Sequence, residues 1–225
     1  MSMQQQLKKL REKLRSHPNS LMLICYLIMM SASSYAPGIA TKQPYVFVIM
    51  LPLLILVLNI WVRKTPRDLL TALKTIRWRR LLGIVLGVIL LMGWLLFISV
   101  GDTPSLSKNT ANLYALMHHY WYMPLYVLFI APCLEELTFR SSLYSVISRM
   151  LAAVVHDQLI KTIVSYIIVG LAFALIHADN LLGIYAIFSW LLQWITNRYG
   201  LKYAVITHIS VNTLSLGLTL LINLV

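Results

Sequence analysis

Long apolar blocks alternate along this chain with short polar stretches that are mostly basic. The blocks fall near 20–36, 45–62, 81–100, 120–139, 162–178, 181–197 and 203–225. A bilayer core takes roughly 17–25 apolar residues as one helix. Several blocks reach that length with almost no charge inside, and 181–197 is shorter but uncharged. The pattern predicts an all-α fold, a polytopic transmembrane helical bundle of about seven spans. An additional membrane segment within 141–157 would make eight. No internal repeat or low-complexity linker divides the chain, so residues 1–225 read as a single membrane domain.

Composition supports this reading. The chain is 59% hydrophobic and 12% charged, with a mean hydropathy of +0.76. A soluble domain carries about 25% charged residues, and disorder needs low hydrophobicity with high charge. The two cysteines, Cys25 and Cys133, fall inside apolar blocks. They build neither a disulfide framework nor a cysteine-rich metal site and read as small buried hydrophobes.

The net charge of +12 would suggest nucleic acid in a soluble protein. Here its distribution points elsewhere. Basic residues gather in the N-terminal segment (Lys8 to Arg15), in 63–80, between the fourth and fifth blocks (Arg140, Arg149, Lys161) and between the sixth and seventh (Arg198, Lys202). Together these hold 17 of the 19 Lys and Arg, and the alternate loops hold only Lys42 and Lys108. Such asymmetry sets membrane orientation and puts the N-terminus in the cytoplasm. Residues 1–19 then form a cytoplasmic basic segment without a cleavable signal, and 7–17 has the spacing of a short amphipathic surface helix. The expected partners are the lipid bilayer, with its anionic headgroups, and no nucleic acid, because the basic runs lack interleaved aromatics.

Only seven residues are acidic, and Glu135 and Glu136 are adjacent after the apolar run MPLYVLFIAPCL. Ionisable groups in such a place are costly unless paired or facing a wet cavity, which makes them functional candidates. On a helix Glu136 and Arg140 are i,i+4 with the acid first, the favourable order. Glu135 points about 100° away. One carboxylate can therefore be paired while its neighbour stays available as a base. Pro124 and Pro132 can kink this span and open a wet space beside it. The bland alternative makes 135–140 the polar end of span four. Two further pairs lie on other spans, Phe173 with His177 and His208 with Asn212, each i,i+4 and so on one helix face. Interfacial placement and interhelical polar glue are their bland readings. His118 and His119 adjoin Tyr120, Trp121 and Tyr122 and read as an aromatic belt. A G-x-S-x-G elbow and an H-E-x-x-H zinc motif are both absent.

Three segments in order, EELTFR (135–140), FALIH (173–177) and HISVN (208–212), resemble the CPBP family of intramembrane proteases, also called the CAAX-protease and bacteriocin-processing or Abi family. Its pattern is E-E-x-x-x-R, F-x-x-x-H, H-x-x-x-N. The resemblance covers 120–225 as a catalytic core. Ser141 stands where the family often has Gly. The resemblance implies an integral membrane protein, in a bacterial cytoplasmic membrane, that hydrolyses a peptide bond with an activated water. By analogy Glu135 is the general base and His177 positions and polarises the water. His208 and Asn212 stabilise the oxyanion, while Glu136, Arg140 and Phe173 support the site. A base near water and donors aimed at a developing oxyanion are what amide hydrolysis needs.

The resemblance implies a peptide or membrane-associated protein as substrate, in bacteriocin processing or immunity. A prenylated CAAX substrate ranks lower. No cofactor is expected. The alternative is zinc held by Glu135, His177 and His208, one carboxylate and two imidazoles with an open position. The alternative function is a non-catalytic membrane scaffold or immunity protein that binds a toxin or sensor. In a simple seven-span arrangement His177 lies near the outer end of span five. His208 lies near the cytoplasmic end of span seven, at a different depth. Tilted or broken helices, or a membrane segment in 141–157, would bring them together.

Overall fold

A computed structural model describes residues 18–35, 49–63, 74–100, 115–177 and 180–222, together with 4–6 and Glu12. The basic segment 7–17 lies almost wholly outside the described residues. So do Arg67, Asp102, Lys108 and Asp179. Among the described residues the fold is all-α, with no strand.

The helices are α1 (Pro18–Tyr35), α2 (Leu51–Arg63), α3 (Trp78–Val100), α4 (123–152), α5 (Gln158–Ile176), α6 (Leu182–Tyr199) and α7 (Leu201–Ile222). They follow the apolar blocks of the sequence. Among the described residues two helices, Trp78–Ser99 and Gln158–Ile176, are long and apolar enough to cross a membrane.

The largest departure from expectation is α4. The hydropathy pattern ends span four at 139, but the helix runs on to Ala152. The polar run EELTFRSS lowers the local hydropathy without ending the helix, because its polar groups turn inward. Arg140, expected as a loop cation, is 2% exposed in the interior. Two π-helical stretches, Tyr126–Ile130 and Glu136–Leu143, interrupt α4. Wide turns of this kind occur often at functional sites. The first lies between the two expected kink points, Pro124 and Pro132. Within it the Ala131 N–H donates to the Tyr126 carbonyl. The next group in that register is Pro132, which has no N–H, so the Val127 carbonyl is left without a helical donor.

A short turn at 153–157 reverses the chain between α4 and α5. Asp157 caps α5, its side chain accepting from the Ile160 N–H at 2.8 Å. Residues at matching distances from this turn lie level on the two arms. Glu135 stands 17 residues before Ala152, and His177 stands 19 residues after Gln158. The extended α4 thus sets Glu135 and His177 at similar depth.

Helix α6 packs against α5 at Gly170, where an added Cβ would run into the Trp190 ring. Small residues admit such close approach. Gly200 then turns the chain into α7 with φ 99°, a conformation that favours glycine. Helix α1 lies against the second π stretch, with Tyr26 edge-on to Phe139 at 6.0 Å. Buried Leu134, Phe139, Phe173, Phe188 and Leu192 form the apolar centre around which the polar groups gather.

Candidate active site

Glu136 is fully buried and uses both carboxylate oxygens. Its Oε2 accepts from Arg140 Nε at 3.1 Å, one helical turn away as the sequence spacing predicts. Its Oε1 accepts from His208 Nδ1 at 3.0 Å. A buried carboxylate is tolerable only when paired and hydrogen-bonded, and here two cations or donors from two helices meet it. Arg140 also donates through Nη1 to Ser189 Oγ on α6 at 2.6 Å. Its guanidinium lies over the Phe173 ring, 4.8 Å from the centroid, which favours a cation. Its Nη2 is buried without a hydrogen-bond partner.

Glu135 occupies the other face. Its side chain keeps 16% exposure, and Oε2 stands 3.7 Å from His208 Nε2. His208 therefore lies between the two carboxylates, bonded to one and facing the other. At this separation the two groups do not bond each other well, and a reacting group could reach both only from beside the pair, on the partly open side of Glu135.

Phe173, wholly buried, joins the second motif to this centre. Its ring lies 4.6 Å from His177 and 6.1 Å from His208, centroid to centroid. His177 Nδ1 is 2.7 Å from the Phe173 carbonyl. A carbonyl only accepts, so Nδ1 carries the hydrogen and Nε2 of the neutral ring is an acceptor. The His177 ring also stacks on Tyr185 at 4.2 Å.

Asn212, one turn beyond His208, donates through Nδ2 to the Val127 carbonyl at 3.2 Å. This is the carbonyl that Pro132 leaves unserved. The amide has a second N–H.

The structure thus gathers Glu135, Glu136, Arg140, Phe173 and His208 in direct contact. His177 enters through Phe173, and Asn212 is tied to α4 through its backbone. Sequence reasoning missed Ser189, Tyr185 and Phe188, which lies 5.1 Å from His208. A polar Ser189 within the apolar run LGIYAIFSWLL is the one available signal, since such groups commonly bridge helices. At the other end of α4, Tyr120 and Tyr122 stack at 5.5 Å and Trp121 is 87% exposed, in keeping with the expected aromatic cluster. Among the described residues no three His, Cys, Asp or Glu side chains are grouped so that they could hold a metal ion.

Residues 116–214 match the family model described as Type II CAAX prenyl endopeptidase Rce1-like. The matched model is one of the CPBP family, to which this region is similar. The matched segment holds all three motifs, from Glu135 to Asn212, and somewhat less than half of the chain. The family is one of membrane proteases. No curated protein and no solved structure matched the chain.

Proposed function

We propose that this protein is an intramembrane endopeptidase that hydrolyses a peptide bond with a water activated by Glu135 and His177. The observation that carries the reading is His208, held by Glu136 on one ring nitrogen and presenting the other to Glu135. In the proposed reaction the Glu135 carboxylate takes a proton from water, and the resulting hydroxide attacks the scissile carbonyl. His177 Nε2 accepts a hydrogen from that water and orients it. The oxyanion is held by the His208 Nε2–H and the second Asn212 N–H. Glu136 stabilises the imidazolium that makes His208 a donor on both nitrogens, as a buried carboxylate does in a hydrolase triad. The proton on Glu135 passes to the leaving amine.

The chemistry proposed needs no metal. Its support is that His177 Nδ1 and His208 Nδ1 are engaged with protein oxygens while Glu136 takes Arg140. In this reading the chain forms a bundle of seven or eight spans in a bacterial cytoplasmic membrane, and its basic-residue asymmetry supports a cytoplasmic N-terminus. The substrate proposed is a peptide or membrane-associated protein, in bacteriocin processing or immunity. The matched family is named for CAAX prenyl endopeptidases, so a prenylated C-terminal peptide belongs in the first substrate panel.

The test is cleavage by purified protein, comparing wild type with Glu135→Gln. The expected result is cleavage that the variant loses by about a thousandfold or more, the scale seen when a catalytic group is removed. Equal cleavage by both would overturn the role of Glu135. A cellular phenotype that persists in Glu135→Ala and His208→Ala would favour the scaffold reading.

A further inference from the structure

Helix α3 is strongly apolar, with a mean hydropathy of 2.8, yet only 17% of its apolar window is buried. Between it and α6 runs a groove of about 380 Å³. Arg80, Gly83, Gly87 and Leu91 line one wall, and Leu191 and Trp194 line the other. The α3 residues recur at the spacing of one helix face and extend about 16 Å along it. Added Cβ atoms at Gly83 and Gly87 would meet nothing within 4 Å, so the two glycines deepen the groove and do not serve a helix contact.

The groove has one charged end. Arg80 lines it and lies 5.5 Å over the Tyr199 ring. Lys74, Arg77 and Arg79 are exposed on the approach to the same end of α3, and Trp78 is exposed beside them. Lys202, at the start of α7, donates to Thr75 there. None of the lining residues is acidic. The groove is therefore apolar along its length and cationic at its mouth, where a membrane interface would lie.

We propose that this groove binds one anionic phospholipid, its phosphate at Arg80 and the adjoining cations, and an acyl chain along Gly83, Gly87 and Leu91. Basic pockets between membrane helices take anionic headgroups, and interfacial tryptophans anchor at the headgroup level. The rival occupant is a second copy of this chain, since small residues four apart mediate helix dimers. Charge disfavours it. A two-fold contact along this stripe would set Arg79 and Arg80 of one copy near the same residues of the other, and like charges across an interface are repelled. An anionic headgroup meets no such penalty.

The experiment is native mass spectrometry of the detergent-purified full chain with phosphatidylglycerol or phosphatidylcholine of identical acyl chains. The wild type should retain one phosphatidylglycerol with a preference of about tenfold. Gly83→Leu with Gly87→Leu, which fills the groove, should lose bound lipid with helical content and elution volume unchanged. Arg80→Gln should lose the preference for the anionic lipid, and it decides the matter alone if the double variant does not fold. Equal retention of both lipids by wild type would overturn the proposal. So would retention unchanged in the variants, or a dimer that the leucines dissociate.

Discussion

His208 donates from Nδ1 to Glu136 Oε1 at 3.0 Å across 72 residues of sequence. The same Glu136 holds Arg140 at 3.1 Å, so one carboxylate bears two basic side chains from two helices. Removing either partner leaves charge buried and uncompensated. Arg140→Met should therefore destabilise the protein by roughly 3–5 kcal/mol. Arg140→Met with Glu136→Gln should cost less than the sum of the two single changes. Thermal unfolding of the four proteins in one detergent measures this, and strict additivity would refute the coupling.

Asn212 serves two ends. Asn212→Ala leaves the partly buried Val127 carbonyl without this donor, at about 1 kcal/mol for a lost hydrogen bond. In the proposed reaction it also removes an oxyanion donor, which would cost roughly 100- to 1,000-fold in turnover. Measuring melting temperature beside kcat separates these effects. Loss of stability with full turnover would remove Asn212 from the chemistry.

Phe173 is the ring on which both histidines rest, and it also lies beneath Arg140. Phe173→Ala should cost about 3–5 kcal/mol as a core truncation. Phe173→Leu should keep most of that stability yet lower kcat, because a branched aliphatic chain offers no flat surface to hold His177. An unchanged kcat in the folded leucine variant would refute the positioning role.

The two kinds of glycine can be told apart by one methyl group. Gly170→Ala drives a Cβ into the Trp190 ring and should destabilise by about 1–3 kcal/mol. Gly93→Ala meets nothing within 4 Å and should be neutral or stabilising by up to about 1 kcal/mol. Comparable losses at both positions would contradict the close α5–α6 packing.

Activity should survive extended treatment with a strong chelator. Stoichiometric zinc in an active preparation, with activity lost on its removal and regained on its return, would establish the zinc alternative at Glu135, His177 and His208.

Helix content and the three motifs were legible without coordinates because both depend on local order. Apolar runs choose helix wherever backbone groups have no water to bond. Spacings of four put Glu136 with Arg140, and His208 one turn from Asn212. The end of α4 was not legible. Hydropathy records that 135–142 is polar, but not whether those groups face water or one another. Reading Arg140 as a loop cation followed from the same ambiguity.

Sequence by itself therefore determined an apolar, all-helical chain with an acidic pair, two histidines and an asparagine at helical intervals. Tertiary structure decided what those groups meet. It carried α4 past its polar stretch, brought His208 to Glu136 and Glu135, gave Arg140 to Ser189 and set both motif histidines on Phe173. The reason is physical. Burying a carboxylate and a guanidinium is costly until partners from distant helices arrive, and no local pattern names those partners.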